Sequence, residues 1–333
     1  WIIRELKEMS VISTHNLSIG YAKKRNKALV QSGLNLKLQA GELVCLIGPN
    51  GTGKSTLLRT LAGLQKPIDG KIKIDNQELE KLSQHAKAML IALVLTDKID
   101  IDNATVLDIV SFGRHPYSNW WGNTSDEDEQ KVLESIAMVH LTHKKDVNLS
   151  ELSDGERQRV MIAKALAQDT PIIMLDEPTA HLDLPNRVEI MLLLHKLAHT
   201  TNKAIILSTH ELDMALQAAD RIWLITNENG VESGVPEDLV FNGSFNRAFE
   251  SKSYYFNADN GNFSMNYPLQ RKIWVEGNKT RMYWTLRALA RAGYMVVPDA
   301  GFTITINENS WILNGKELFT IREVLRELDE ISD

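Results

Sequence analysis

Along the first 244 residues the apolar positions gather into short continuous runs separated by stretches of helical period. The runs at Leu43–Ile47, 91–95, 172–175, Ala204–Ser208 and 222–225 have the length of strands buried on both faces. Between and after them, 53–62, 127–139, 155–167, 186–198 and 211–219 repeat apolar residues at three- and four-residue spacing and are predicted as helices. Strand and helix alternating in this order predict an α/β fold, a mainly parallel sheet covered by helices. Residues 10–40 follow another rule. Leu17, Ile19 and Tyr21, then Leu34, Leu36 and Leu38, alternate with their neighbours at the period of antiparallel strands, and 71–75 fits one more.

Beyond residue 244 the pattern changes. The Asn- and Gly-rich stretch 257–266 reads as loop, and 245–268 as a linker. Asn278 is placed to cap a helix over 281–292, which Gly293 stops. The runs 302–306 and 310–313 flank Asn307-Glu308-Asn309 as a hairpin, and Thr320-Ile321-Arg322-Glu323 has the form of a capping box opening a last helix to 331. Two folded parts are therefore expected, 11–244 and a small α+β domain at 269–333, as a chain of 333 residues would lead one to anticipate.

Composition narrows the function classes. Hydrophobic residues at 43% and charged residues at 24% are the balance of a soluble globular protein. Against 37 basic residues stand 43 acidic ones, so a nucleic-acid partner is not expected. The tail from 245 carries 11 of each, which places the entire net charge of −6 in the first part. The longest apolar run, 89–95, is far short of the ~20 residues that cross a bilayer. Arg4 and Glu5 stand where a signal peptide would be apolar. The lone Cys45 reads as a core thiol, and a cytoplasmic chain is expected.

The chemistry sits at the strand ends. Gly48-Pro49-Asn50-Gly51-Thr52-Gly53-Lys54-Ser55 follows a buried strand and opens a helix, which is the pattern of a P-loop. Its glycines let successive N–H groups turn inward on phosphate oxygens, and the helix N-terminus adds partial positive charge. Gly48, Asn50, Gly51, Gly53, Lys54, Ser55 and Thr56 are thus candidate ATP-binding residues, with Lys54 on the β/γ-phosphates and the Ser55 hydroxyl on Mg²⁺. A second apolar strand ends in Asp176-Glu177. Asp176 is the candidate second Mg²⁺ holder, and Glu177 the base that polarises the attacking water. Asn202-Lys203 superficially matches a guanine-reading motif, but position 205 is Ile rather than Asp, so ATP is favoured.

Leu152-Ser153-Asp154-Gly155-Glu156-Arg157-Gln158-Arg159, between the P-loop and Asp176, resembles the signature motif of ATP-binding cassette (ABC) ATPases. The resemblance covers about residues 11–244. It implies a RecA-like parallel-sheet core with an antiparallel β subdomain and a helical subdomain. It also implies a homodimer that sandwiches two ATP molecules, in which Ser153, Gly155 and Glu156 face the nucleotide of the opposite subunit. By the same resemblance Ala180-His181-Leu182-Asp183 matches the D-loop, His210 the switch histidine, and Tyr21 the aromatic that stacks on adenine. One position departs: the family's Mg²⁺-contacting glutamine after strand 91–95 is replaced by Thr96, with Asp97 beside it as a second candidate.

Within the family the wording is most similar to iron–siderophore, haem and vitamin B12 importers. The supporting residues are Leu152 to Gln158, Ala167-Gln168-Asp169-Thr170-Pro171, and Phe112–Tyr117 followed by Trp120-Trp121-Gly122. The aromatic segment fits either a coupling surface or packing within the helical subdomain. The expected role is the ATP-hydrolysing subunit of a metal-chelate importer on the cytoplasmic face of the membrane. Its partners would be separate permease subunits and, indirectly, a substrate-binding protein. The alternative is a soluble ABC ATPase that acts on a protein assembly, and dependence on permeases separates the two.

Overall fold

The structure, a computed structural model, describes residues 10–23, 26–95, 103–117, 125–226, 230–249, 251–258, 261–298 and 300–332. The expectations for Thr96 and Asp97, and for Trp120, Trp121 and Gly122, lie outside the described residues. Two units emerge: residues up to 250 with Phe256–Asn262, and Ser251–Tyr255 with 263–333.

The first unit opens with β1 (Ser10–Lys23), β2 (Asn26–Leu34), β3 (Lys37–Gln39) and β4 (Leu43–Ile47), followed by α1 (Lys54–Leu61). Then come β5 (Asp69–Ile74), β6 (Gln77–Glu78), α2 (Gln84–Leu90), β7 (Ile91–Val94), α3 (Val106–Ser111), α4 (Asp126–Met138) and α5 (Asp154–Ala167). β8 (Ile172–Asp176), α6 (Leu184–Thr201), β9 (Ala204–Ser208), α7 (Leu212–Ala218), β10 (Arg221–Ile225) and β11 (Val231–Gly234) complete its sheets, and α8 (Pro236–Phe241) and α9 (Ser244–Phe249) follow.

The central sheet has the order β11-β10-β4-β9-β8-β7, parallel except for its edge strand β11. Every residue of β4, β8 and β9 is buried, which is why these strands read as unbroken apolar runs. A separate antiparallel sheet, β2-β1-β5-β6 with β3 on β1, matches the alternating segment at the start. The two sheets share one core: Ile12, Leu17, Ile19 and Leu36 pack with Val44, Leu46, Ile206 and Trp223. Helices α3, α4 and α5 pack on one another as the helical subdomain. There the Phe112–Tyr117 turn faces partly inward. Arg114 is buried, donates to Asp128 (2.7 Å) and to the Ala167 carbonyl (2.9 Å), and stacks on Tyr117. Phe112 and His115 stay exposed.

The expected linker 245–268 is not irregular. Its first residues belong to α9, and Phe245, Phe249 and Phe256 bury together, with ring centroids 6.1 and 5.2 Å from Phe245. Polar residues around these three aromatics masked them in the sequence pattern. A short hairpin, β12 (Tyr254–Asn257) with β13 (Asn262–Met265), replaces the expected loop at 257–266.

The second unit holds β14 (Arg271–Gly277), α10 (Lys279–Arg291), β15 (Tyr294–Val296), β16 (Thr303–Ile306), β17 (Trp311–Leu313), β18 (Lys316–Leu318) and α11 (Ile321–Ser332). Its sheet order is β15-β14-β16-β17-β18, with β14 parallel to both neighbours and the rest antiparallel. Asn278 caps α10 by accepting from Arg281 N–H, and Thr320 and Glu323 form the reciprocal cap of α11. Trp311 is buried and donates to Thr285 (2.9 Å), so this tryptophan serves the core. Among the described residues no helix is long and apolar enough to cross a membrane.

Candidate functional site

At the C-terminal end of β4 the chain turns through 48–53 into α1, with Gly53 at the helix N-cap in a left-handed conformation (φ 101°). A Cβ at Gly53 would lie 2.3 Å from Val30 Cγ1, so glycine is needed for both backbone angle and space. The loop is held from behind by Gln31, buried, whose amide donates to the Thr52 and Thr226 carbonyls (both 3.2 Å). Lys54 is buried and its ammonium donates to the carbonyls of Gly48 (2.8 Å) and Pro49 (3.2 Å). Burial lowers its pKa, and the nearby charges of Glu177 and Asp176 push the other way. Tyr21 stands at the mouth, 53% exposed, its hydroxyl 2.9 Å from Thr56 Oγ1. Its ring is thereby pinned at one end and open to a planar partner.

Across the loop, the ends of β8 and β9 bring the acidic residues in. Ser55 donates to Asp176 Oδ1 (3.0 Å), and Ser208 donates to the same oxygen (2.7 Å). Ser208 in turn accepts from the Glu177 backbone N–H (2.9 Å). Glu177 has φ 51°, an angle an L-residue adopts only at a cost, which re-aims its side chain at the strand end. Its carboxylate meets His210 Nε2 at 2.8 Å, and both side chains keep contact with solvent. Loop, hard oxygen pair, carboxylate and imidazole thus form one connected patch.

A second group forms at the start of α5 and α6. Ser153 caps α5 and exchanges hydrogen bonds with Glu156, whose carboxylate also takes Lys144 (2.5 Å). The Lys144 contact first, then the Ser153 N–H, holds the Glu156 carboxyl below the usual carboxylate range. Gly155 is buried against Asn186: a Cβ there would come within 2.4 Å of its amide oxygen. Asp183 caps α6 by accepting from Asn186 N–H and Nδ2. Arg187 then links α6 to Glu211 (2.6 Å), the residue after His210.

Residues 31–180 match the ABC transporter family, and 270–329 match the iron ABC transporter C-terminal domain. An uncharacterized ABC transporter ATP-binding protein of Methanocaldococcus jannaschii is 38% identical over 289 residues, 86% of this chain and 98% of that protein. The chain belongs to the ABC transporter ATP-binding proteins. A petrobactin import ATP-binding protein of Bacillus anthracis is 37% identical, covering 69% of this ABC ATPase and 82% of the relative. Among solved structures, a chain of an inward-facing transporter described as of metal-chelate type has 30% identity and TM-score 0.60, over 69% of this chain and 85% of that one. A dimeric cassette bound to ADP and Pi has 29% identity and TM-score 0.58, over 68% and 98%.

The ABC ATPase binds adenine nucleotide and carries its phosphate loop, Asp176, Glu177 and His210 in one place, while Ser153, Gly155, Glu156 and Asp183 form the other group. Asn202 and Lys203 make a plain turn: Asn202 ends α6 at φ 53°, and Lys203 donates to the Thr170 carbonyl (2.7 Å). Sequence reasoning missed Ser208 and Gln31. Ser208 closes an apolar strand and offered no signal, because its acidic partners lie 31 and 32 residues away along the chain. Gln31, in an exposed-looking strand, offered none. Cys45 is buried as expected, and burial pushes its thiol far up, leaving it inert.

Proposed function

We propose that this ABC ATPase powers import of a metal chelate of the iron(III)-siderophore, haem or cobalamin type, working with separate membrane permease subunits on the cytoplasmic face. The observation that carries the ATPase half is the single network Ser55–Asp176–Ser208–Glu177–His210 beside the phosphate loop. The chelate half rests on the iron-type C-terminal domain and on relatives named for petrobactin, achromobactin and cobalamin import.

In this reading Tyr21 stacks on adenine, while Gly48, Asn50, Gly51, Gly53 and Thr56 surround the phosphates through backbone and hydroxyl donors. Lys54 turns from the Gly48 and Pro49 carbonyls to the γ-phosphate, exchanging two neutral acceptors for a charged one. The Ser55 hydroxyl and Asp176 carboxylate, converging at 3.0 Å, are the hard oxygen donors that suit Mg²⁺. That ion would neutralise charge on the β- and γ-oxygens. Glu177 takes the proton of the attacking water, and His210, hydrogen-bonded to it, orients the carboxylate and faces the γ-phosphate. A second copy supplies Ser153 and Gly155 to the same nucleotide, with Asp183 at the contact between copies, so each site needs both chains.

Reconstitution with candidate permeases in lipid vesicles tests this. ATP-dependent uptake of a ferric siderophore, haem or cobalamin, abolished by Glu177→Gln, is expected. ATPase activity that no permease stimulates would instead favour action on a soluble assembly.

A further inference from the structure

At the far end of β4 from the phosphate loop lies a group that the nucleotide chemistry does not use. His195 and His199 stand one turn apart on α6, and Asp220 immediately precedes β10. Each offers one ligating atom, and these atoms all lie within 4.8 Å of one another. The five-residue strand β4 separates this group from the loop by about 16 Å, at ~3.3 Å per residue.

The surroundings hold each member in place. Asp220 accepts from the Leu43 N–H through Oδ2 (2.8 Å), and its own N–H donates to the Leu43 carbonyl (3.0 Å). That leaves Oδ1 toward His199 Nε2 at 3.2 Å. His195 Nδ1 donates to the Ala218 carbonyl (2.9 Å), which fixes the tautomer and leaves the Nε2 lone pair as a ligand. A backbone carbonyl holding the second ring nitrogen is the usual support of a metal-binding histidine. The two rings pack edge to face, with centroids 4.5 Å apart. An ion pair needs only His199 and Asp220; it gives no use to the second imidazole so held.

We infer that His195, His199 and Asp220 form a binding site for a divalent transition metal of the zinc class, clipping the C-terminal half of α6 to the start of β10. Two neutral imidazoles and one carboxylate suit Zn²⁺ or Co²⁺ rather than Mg²⁺. Bonds of ~2.0–2.1 Å in a tetrahedron space ligand atoms about 3.3 Å apart, close to the His199–Asp220 separation already present. His199 is exposed, so water can complete the fourth position.

The full chain is titrated with Co²⁺ in excess Mg²⁺, which occupies the hard oxygen donors near Ser55. One equivalent of Co²⁺ with visible ligand-field bands, displaced by Zn²⁺, is expected. His199→Gln and Asp220→Asn should each weaken binding by at least ~tenfold while leaving ATP affinity intact. Asp220→Asn keeps an oxygen for the Leu43 N–H, so a loss there reports the ligand rather than the fold. Absence of tight Co²⁺ binding in the parent, or variants that bind as tightly as the parent, overturns the assignment.

Discussion

Replacing Ser208 by alanine removes one oxygen that serves two acidic residues. The hydroxyl donates to Asp176 at 2.7 Å and accepts the Glu177 N–H at 2.9 Å, in a position fully sealed from solvent. Water cannot substitute there. Losing a hydrogen bond to a charged group costs about 1.5–3 kcal/mol, and the stranded N–H adds about 1–3 kcal/mol. Asp176 keeps Ser55, so a net stability loss of about 2–4 kcal/mol is expected. The kinetic effect follows from Glu177. Its left-handed backbone stores about 1–3 kcal/mol, and the Ser208 bond is one of its restraints. If that restraint goes and the residue relaxes, the carboxylate leaves its position, and the same energy appears in the barrier as a ~5- to 150-fold fall in kcat. ATP affinity should change little, because Lys54 and the loop amides are untouched. Steady-state ATPase, nucleotide titration and urea unfolding on the same preparation measure all three quantities. A Ser208→Ala protein with kcat within about twofold of the parent refutes the idea that this hydroxyl positions the base.

Further outcomes follow from other parts of the molecule. Glu177→Gln should bind ATP, barely hydrolyse it and elute as a dimer from a sizing column; parental turnover would remove Glu177 as the base. Gly155→Val drives a side chain into Asn186 and should abolish ATP-dependent dimerisation while single chains still bind nucleotide, as equilibrium sedimentation would show. Phe245→Ala should cost about 3–5 kcal/mol in urea unfolding, because the ring is fully buried between Phe249 and Phe256; a loss under about 1 kcal/mol would mean that α9 is dispensable to the first unit. Asp128 is held below the usual carboxylate range by the Ser125 N–H, with Arg114 adding to it. Its contribution is therefore present above ~3.9, the unfolded value, and is lost as pH falls through the lower folded one. Asp128→Asn should lose about 3–5 kcal/mol at neutral pH and flatten the acid limb of the stability curve; an unchanged acid limb would contradict the pairing.

How far the sequence could be read depended on which forces were local. The parallel strands were legible because burial on both faces writes an unbroken apolar run, as in 172–175. The P-loop, the Asn278 cap and the Thr320 cap were legible because backbone angle and capping chemistry demand particular residues at fixed spacing. Ser208 and Gln31 were not, since their value depends on partners brought close from distant strands. The three phenylalanines around α9 were lost among polar neighbours, and so 245–268 looked like a linker. The parallel strand β14 escaped notice because only Ile273 and Val275 of its seven residues are buried, too few to mark it.

The abutment of Gly155 on Asn186 has a consequence for how this protein can vary. One carboxamide both completes the cap of α6 with Asp183 and fills the space that a side chain at 155 would need. Two helix starts are therefore milled to a common gauge. A change at residue 186 alters the seat of the α5 turn and the pitch of the 183 turn in one stroke. Tolerance at residue 155 is thus set by the fit between the first turns of α5 and α6.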